Sequence, residues 1–151
     1  MNESLNAISG CFVTASSGCH RYNYWNEQAL FDGRPDTGWC TPRRRQFREE
    51  YLEIDLGRFH TPRRIRLQAR PIQNWPGFPR RVRVLSRADT EWVPVMDAVG
   101  VAADAGQWWD GDLSPRSTDS MRIEFDEVGW RSNGSYFVQF MQLELLEGVA
   151  R

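Results

Sequence analysis

The 151 residues suffice for one domain with a proper core, and 13% of them are aromatic, seven being tryptophan, a composition neither disordered nor collagen-like. The net charge of −1, with all 19 basic residues arginine, gives no overall pull towards nucleic acid or an anionic membrane. No apolar run is long enough to span a membrane, and MNESLNAISG has neither the basic start nor the apolar stretch of a signal peptide.

The first ten residues read as a frayed lead-in, and 149–151 as a tail to a domain over 11–148. Residues 11–16 (C-F-V-T-A-S) are of β type and predict a first strand. Residues 17–28 form a loop in which Tyr22, Tyr24 and Trp25 crowd together, either as a recognition surface or as a plug over an open sheet end. Residues 29–40 (A-L-F-D-G-R-P-D-T-G-W-C) organise the chain around them. Asp32-Gly33 is a turn dipeptide, Pro35 fixes a second bend, Asp36 and Thr37 add oxygens near Asp32, and Trp39 is a large apolar anchor. Such a loop either holds a hard cation such as calcium or satisfies its polar groups internally. Residues 42–50 (P-R-R-R-Q-F-R-E-E) read as a charged, solvated loop.

Clean alternation then begins. In 51–56 (Y-L-E-I-D-L), Leu52, Ile54 and Leu56 face one way and Glu53 and Asp55 the other, a half-buried strand. Residues 64–69 and 81–85 repeat the pattern, with Ile65, Leu67, Val82 and Val84 inward. Outward Arg64, Arg66, Arg81 and Arg83 are expected to pair with acids such as Glu53, Asp55 and Glu124 on neighbouring strands. Between those strands lies a Pro/Gly-rich loop carrying Arg70 and Trp75. Short strands follow at 92–95 and 108–109, separated by a loop over 97–106, and Asp110-Gly111-Asp112 reads as a turn. Residues 121–125 alternate again. The loop over 126–135 holds Trp130 and the sequon-like Asn133-Gly134-Ser135. Residues 136–146 are the last strand region, with a break near Phe140-Met141 that predicts a bulge or a switch between sheets. Many short alternating strands with no amphipathic helix predict an antiparallel β-sandwich or barrel.

Three cysteines, Cys11, Cys19 and Cys40, leave one disulfide or three free thiols both open, and no Cys/His spacing suggests zinc. Catalysis is not expected. The acidic pairs Glu49-Glu50, Asp110/Asp112 and Asp126-Glu127 lack partner patterns, and Cys40 has only His20 as a conceivable base. His20 and His60 read as surface residues.

Taken in order, these pieces resemble a discoidin, or F5/8 type C, domain of the galactose-binding-domain-like superfamily, in the branch of the family 32 carbohydrate-binding modules. V-T-A-S-S at 13–17, the D-G…T-x-W loop at 29–39, Y-L-E-I-D-L-G at 51–57, the Arg70 segment followed by G-F-P at 77–79, the hairpin over 84–92 and the final strand at 136–146 carry the resemblance. It implies an antiparallel jelly-roll β-sandwich of about eight core strands with loops gathered at one end. It also implies a structural calcium ion under the D-G loop, held here by Asp32, Thr37, backbone carbonyls near Leu30 and Arg34, and Gln142 where the family often has Glu. The amide oxygen of Gln142 brings no charge, which lowers affinity, and a water or an internal hydrogen bond is the alternative.

The resemblance further implies a non-catalytic carbohydrate-binding module. Arg70 matches the family's sugar-binding arginine, with a loop-closing salt bridge as its structural alternative. Tyr22, Tyr24, Trp25, Trp75 and Trp130 are candidate platforms for a sugar's apolar face, and Asn133 lies among them. Cys40 stands where the family usually has His, which leaves galactose specificity open. Trp39 and Trp92 are assigned to the core. The expected partner is a glycan or glycoconjugate. A protein-interaction or adaptor domain is the alternative; nucleic acid is not expected, and neutral charge counts against a membrane. The family suggests an extracellular or cell-surface setting, whereas the lack of a leader in these residues leaves a cytoplasmic one open.

Overall fold

The computed structural model describes residues 4–20, 25–128 and 135–149. Eleven strands follow in order: β1 (Leu5–Ala7), β2 (Phe12–Ser16), β3 (Trp39–Cys40), β4 (Glu50–His60), β5 (Pro62–Gln68), β6 (Pro79–Ala88), β7 (Glu91–Val99), β8 (Trp108–Asp112), β9 (Thr118–Val128), β10 (Gln139–Phe140) and β11 (Gln142–Gly148). A 3-10 turn, Glu27–Phe31, lies between β2 and β3, capped by the Asn26 side chain accepting from the Gln28 N–H at 2.8 Å. One sheet runs β1-β11-β5-β8 and the other β2-β4-β9-β6-β7, with β10-β3 a short antiparallel pair at one end. Every paired strand is antiparallel, and the two sheets form a jelly-roll β-sandwich.

Alternation in the sequence becomes the core directly. Ile65 and Leu67 of β5 and Leu143 and Leu145 of β11 are buried from one sheet; Leu52, Ile54, Val82, Val84, Met121, Ile123 and Phe125 are buried from the other. At the β3–β10 end, Trp39, Phe125 and Phe140 pack as three rings with centroids 5.4 to 5.9 Å apart. Trp39 is fully buried and its indole N–H donates to the Gly18 carbonyl at 3.0 Å. The predicted break at Met141 is the switch between sheets. Residues 139–140 pair with β3, and β11 then joins β5. Gly38 crosses this switch so closely that a Cβ there would lie 2.6 Å from Met141 Cα and nearer still to the Phe140 carbonyl oxygen.

Several expectations need correcting. The lead-in contains a strand, because residues 5–7 pair with 146–148. Residues 97–99 continue β7 instead of opening a loop. Asp110 and Asp112 are strand positions opposite Arg66 and Arg64, which they hold at 2.8 and 3.1 Å. The outward arginines are paired, but Arg81 meets Asp97 and Asp126, and only Arg83 meets the predicted Glu124. His60 is buried against Glu147, with Nδ1 2.9 Å from its carboxylate. Glu50, expected in a solvated tract, is fully buried and bound by Arg44 through two 3.1 Å contacts. Trp92 is only half-buried.

Candidate functional site

Two side-chain constellations sit around the short β3–β10 pair. The first is centred on Arg70, which follows β5. The backbone there is fixed on both sides: Ala69 N–H donates to Gln107 O at 2.9 Å, and the Arg70 carbonyl accepts from Ile72 and Gly106. Its guanidinium lies over the Trp75 ring at 4.4 Å and the Trp25 ring at 5.1 Å. Trp25 is positioned by a bridge to Gly38, and the next residue, Asn26, donates its backbone N–H to Gly38 O at 2.8 Å. Trp75 is carried by the Pro/Gly loop. Gly77 is required there, because it has φ +100° and a Cβ would meet Phe137 at 2.7 Å.

Among the described residues Arg70 meets no carboxylate; its one polar partner is Gln139 Oε1, at 3.4 Å from Nη1. A guanidinium has five N–H donors, so a planar fork of donors is held between two indoles with most of its capacity unused. Burial pushes its pKa below the usual arginine value, with the neighbouring Cys40 acting in the opposite direction, and arginine stays charged nonetheless. A cavity of about 1010 Å³ opens beside it, lined by Arg70, Trp75, Phe78, Val101, Gln107 and Gln139. Trp75 is 39% exposed on its wall.

Cys40 pairs with Gln139 across the β3–β10 ladder and is buried. Burial, the largest effect, raises its thiol to about 11 despite a hydrogen bond from Gln139. It is therefore a neutral thiol at physiological pH. Trp25, Arg70, Trp75 and Cys40 are thus brought to one place, joined by Gln139, which the sequence reading missed. Tyr22, Tyr24, Trp130 and Asn133 lie outside the described residues.

The second constellation lies under the D-G loop, where the side chain of Gln142, only 4% exposed as a residue, reaches up from the start of β11. Its Nε2 is 2.7 Å from Ala29 O, 2.8 Å from Arg34 O, 2.8 Å from Met141 O, 2.9 Å from Asp32 Oδ1 and 3.4 Å from Thr37 O. Its Oε1 accepts the Gly33 N–H at 2.9 Å. The predicted residues Asp32, Arg34, Thr37 and Gln142 do converge. Leu30 does not contribute its carbonyl to Nε2: the neighbouring Ala29 does, and the Leu30 side chain is fully buried in the core. Carbonyl and carboxylate oxygens are the donors that calcium takes, and in this structure the amide nitrogen of Gln142 stands at the point they share.

The F5/8 type C domain model matches residues 12–143. The chain belongs to the F5/8 type C family. Solved structures with the same fold include the family 32 carbohydrate-binding module of Clostridium perfringens NanJ in complex with galactose. It is 16% identical, covers 95% of this chain and 100% of its own, and gives a TM-score of 0.77. Another Clostridium perfringens domain, in complex with GalNAc-beta-1,3-galactose, is 13% identical over 94% of this chain and 99% of its own, with a TM-score of 0.75. Chitosan-binding module 1 from a Paenibacillus sp. IK-5 chitosanase/glucanase is 16% identical over 96% of this chain and 95% of its own, with a TM-score of 0.66. A search of curated protein sequences finds no match.

Proposed function

We propose that this F5/8 type C domain is a non-catalytic carbohydrate-binding module whose ligand docks at Arg70. The observation that carries this reading is the guanidinium stacked on Trp25 and Trp75 with no carboxylate partner among the described residues. Arg44, Arg66 and Arg81, by contrast, are neutralised by Glu50, Asp110 and Asp97. A cation held rigid and left without an acid presents its donors to a ligand. Neighbouring hydroxyls on a sugar ring accept a bidentate pair from such a fork, and the exposed Trp75 ring offers a surface for the ring's apolar C–H face.

Several structural neighbours are described as bound to galactose, to a GalNAc-galactose disaccharide or as chitosan-binding, and a glycan ligand is consistent with them. Three of the acidic groups weighed for catalysis are held in ion pairs. Glu50 is bound by Arg44, and Asp110 and Asp112 lie opposite Arg66 and Arg64. The buried Cys40 thiol is protonated at neutral pH, which favours binding over catalysis.

A glycan array followed by titration calorimetry tests the reading. Arg70→Ala should abolish binding to the sugar class identified, with the melting temperature nearly unchanged. Retained binding in that variant would move the site elsewhere. An empty array, with capture of a protein partner through the same loops, would favour the adaptor role.

A further inference from the structure

We propose that the Gln142 amide takes the place of a metal ion beneath the D-G loop, so that this domain holds its rim in shape without calcium. The side chain faces two opposite demands. On one side is the Gly33 N–H, which needs an acceptor. On the other are the carbonyls of Ala29, Arg34, Met141 and Thr37 and the Asp32 carboxylate, oxygens that only a donor or a cation can face.

A carboxylate at this position has an oxygen for each side. It can accept from Gly33 and ligate a cation at once. An amide has only one oxygen, so its orientation is set by the network. The observed orientation gives oxygen to Gly33 and –NH₂ to the oxygen cluster. Turning the amide over to offer its oxygen to an ion would set –NH₂ against the Gly33 N–H, two donors face to face. The two N–H groups of Gln142, shared among oxygens that in part have other donors, the Asp32 N–H to Ala29 O and the Arg34 N–H to Asp32 Oδ1, can therefore face this cluster only when no ion is there. With the residue 4% exposed, the side chain has no solvent to retreat into.

The remaining chemistry agrees. Asp32 is the one carboxylate at the cradle, and both its oxygens are engaged: Oδ1 also accepts the Arg34 N–H at 2.8 Å, and Oδ2 accepts the Thr37 hydroxyl. Asp36 turns away to a bidentate pair with the Arg34 guanidinium at 3.0 and 3.1 Å. Among the described residues no three His, Cys, Asp or Glu side chains gather as a metal site. Calcium takes six to eight oxygens at about 2.3–2.6 Å and gains most from carboxylate charge, whereas this cradle offers one charge, already hydrogen-bonded.

The test is thermal unfolding of the purified domain in EDTA and in millimolar calcium chloride, with elemental analysis of the dialysed protein. The wild type should melt at the same temperature in both and retain no calcium. Gln142→Glu should melt lower in EDTA, because a carboxylate then faces the oxygen cluster with no proton to give. Calcium should raise it by roughly 5–10 °C once about a hundredfold over its dissociation constant. A saturable rise in the wild-type melting temperature, or calcium retained after dialysis, would overturn the proposal. So would a Glu variant that folds yet ignores calcium, since Gln142 would not then be the deciding residue. Should the Glu variant not fold in EDTA, the wild-type pair of melts still decides.

Discussion

Gln139 and Gln142 stand three residues apart in the same terminal segment, and their surroundings are opposites. Gln142 is saturated: its nitrogen faces five oxygens and its oxygen takes a backbone N–H. Gln139 reaches a guanidinium at a long 3.4 Å, and that guanidinium has most of its donors left over. A buried polar group must be paired, so saturation under the D-G loop is what folding demands. Unused capacity at Arg70 is tolerable only because the group borders an open cavity where water, or a ligand, can serve it. The Gln142 cluster shapes the rim; the Arg70 cluster leaves donors free at it.

The largest perturbation should remove the support both regions share. Trp39 occupies β3, between Gly38, which crosses the Met141 switch, and Cys40, which pairs with Gln139. Trp39→Ala leaves a cavity against Phe125 and Phe140 and frees the Gly18 carbonyl. The expected loss is about 3–5 kcal/mol, read by circular dichroism as a fall of roughly 10 °C or more in melting temperature, with glycan binding lost as well. A variant that melts like the wild type would mean that the ring trio does not support the rim.

Next in size is a cut through the clamp alone. Gln142→Leu keeps the volume and removes the hydrogen bonds this side chain makes beneath the loop. Gly33 N–H and the facing carbonyls lose their partner, at a cost of about 1–3 kcal/mol because part of the cluster can rehydrate through the exposed loop. Binding at Arg70 should weaken less than stability does, since Trp25 and Gln139 are held by other bonds. Equal loss of both would show that the two regions are one cooperative unit.

The sheets were legible because alternation is a local property: Leu52, Ile54 and Leu56 announce their own face. Parity also contained more than was read from it. Glu50 shares the inward register of Leu52 within β4 and is buried; His60 is buried too, but beyond three exposed residues and a shift of register after Asp55. The Glu147 partner that makes the buried His60 tolerable comes from the far end of the chain, and the Arg44 partner of Glu50 from the loop just before β4; no spacing rule announces either. In the D-G loop the sequence pointed to carbonyls near Leu30 and Arg34, and those facing Gln142 belong to Ala29 and Arg34; side-chain patterns do not say which way a peptide plane points. Gln139 went unnoticed for a related reason. A polar residue inside F-V-Q-F is a signal, but its meaning depends on the two-residue pairing with β3, which only the folded loop defines.

The smallest structural change bears on the open region by itself. Arg70→Lys keeps a positive charge between Trp25 and Trp75 but exchanges a planar fork of five donors for a point charge with three. If Arg70 served only to place charge near the cavity, lysine would suffice and affinity would hardly move. If the fork reads a pair of neighbouring hydroxyls, one of two parallel hydrogen bonds is lost along with the stacking geometry, and affinity should fall about tenfold or more, since a hydrogen bond to a charged group contributes roughly 1.5–3 kcal/mol. Stability should stay within about a degree, because the residue is paired to no acid among the described residues and little folding energy rests on it. Calorimetry and a thermal melt on the same preparation separate the two cases. A lysine variant that binds as tightly as the wild type would reduce Arg70 to a charge and leave recognition to the tryptophans.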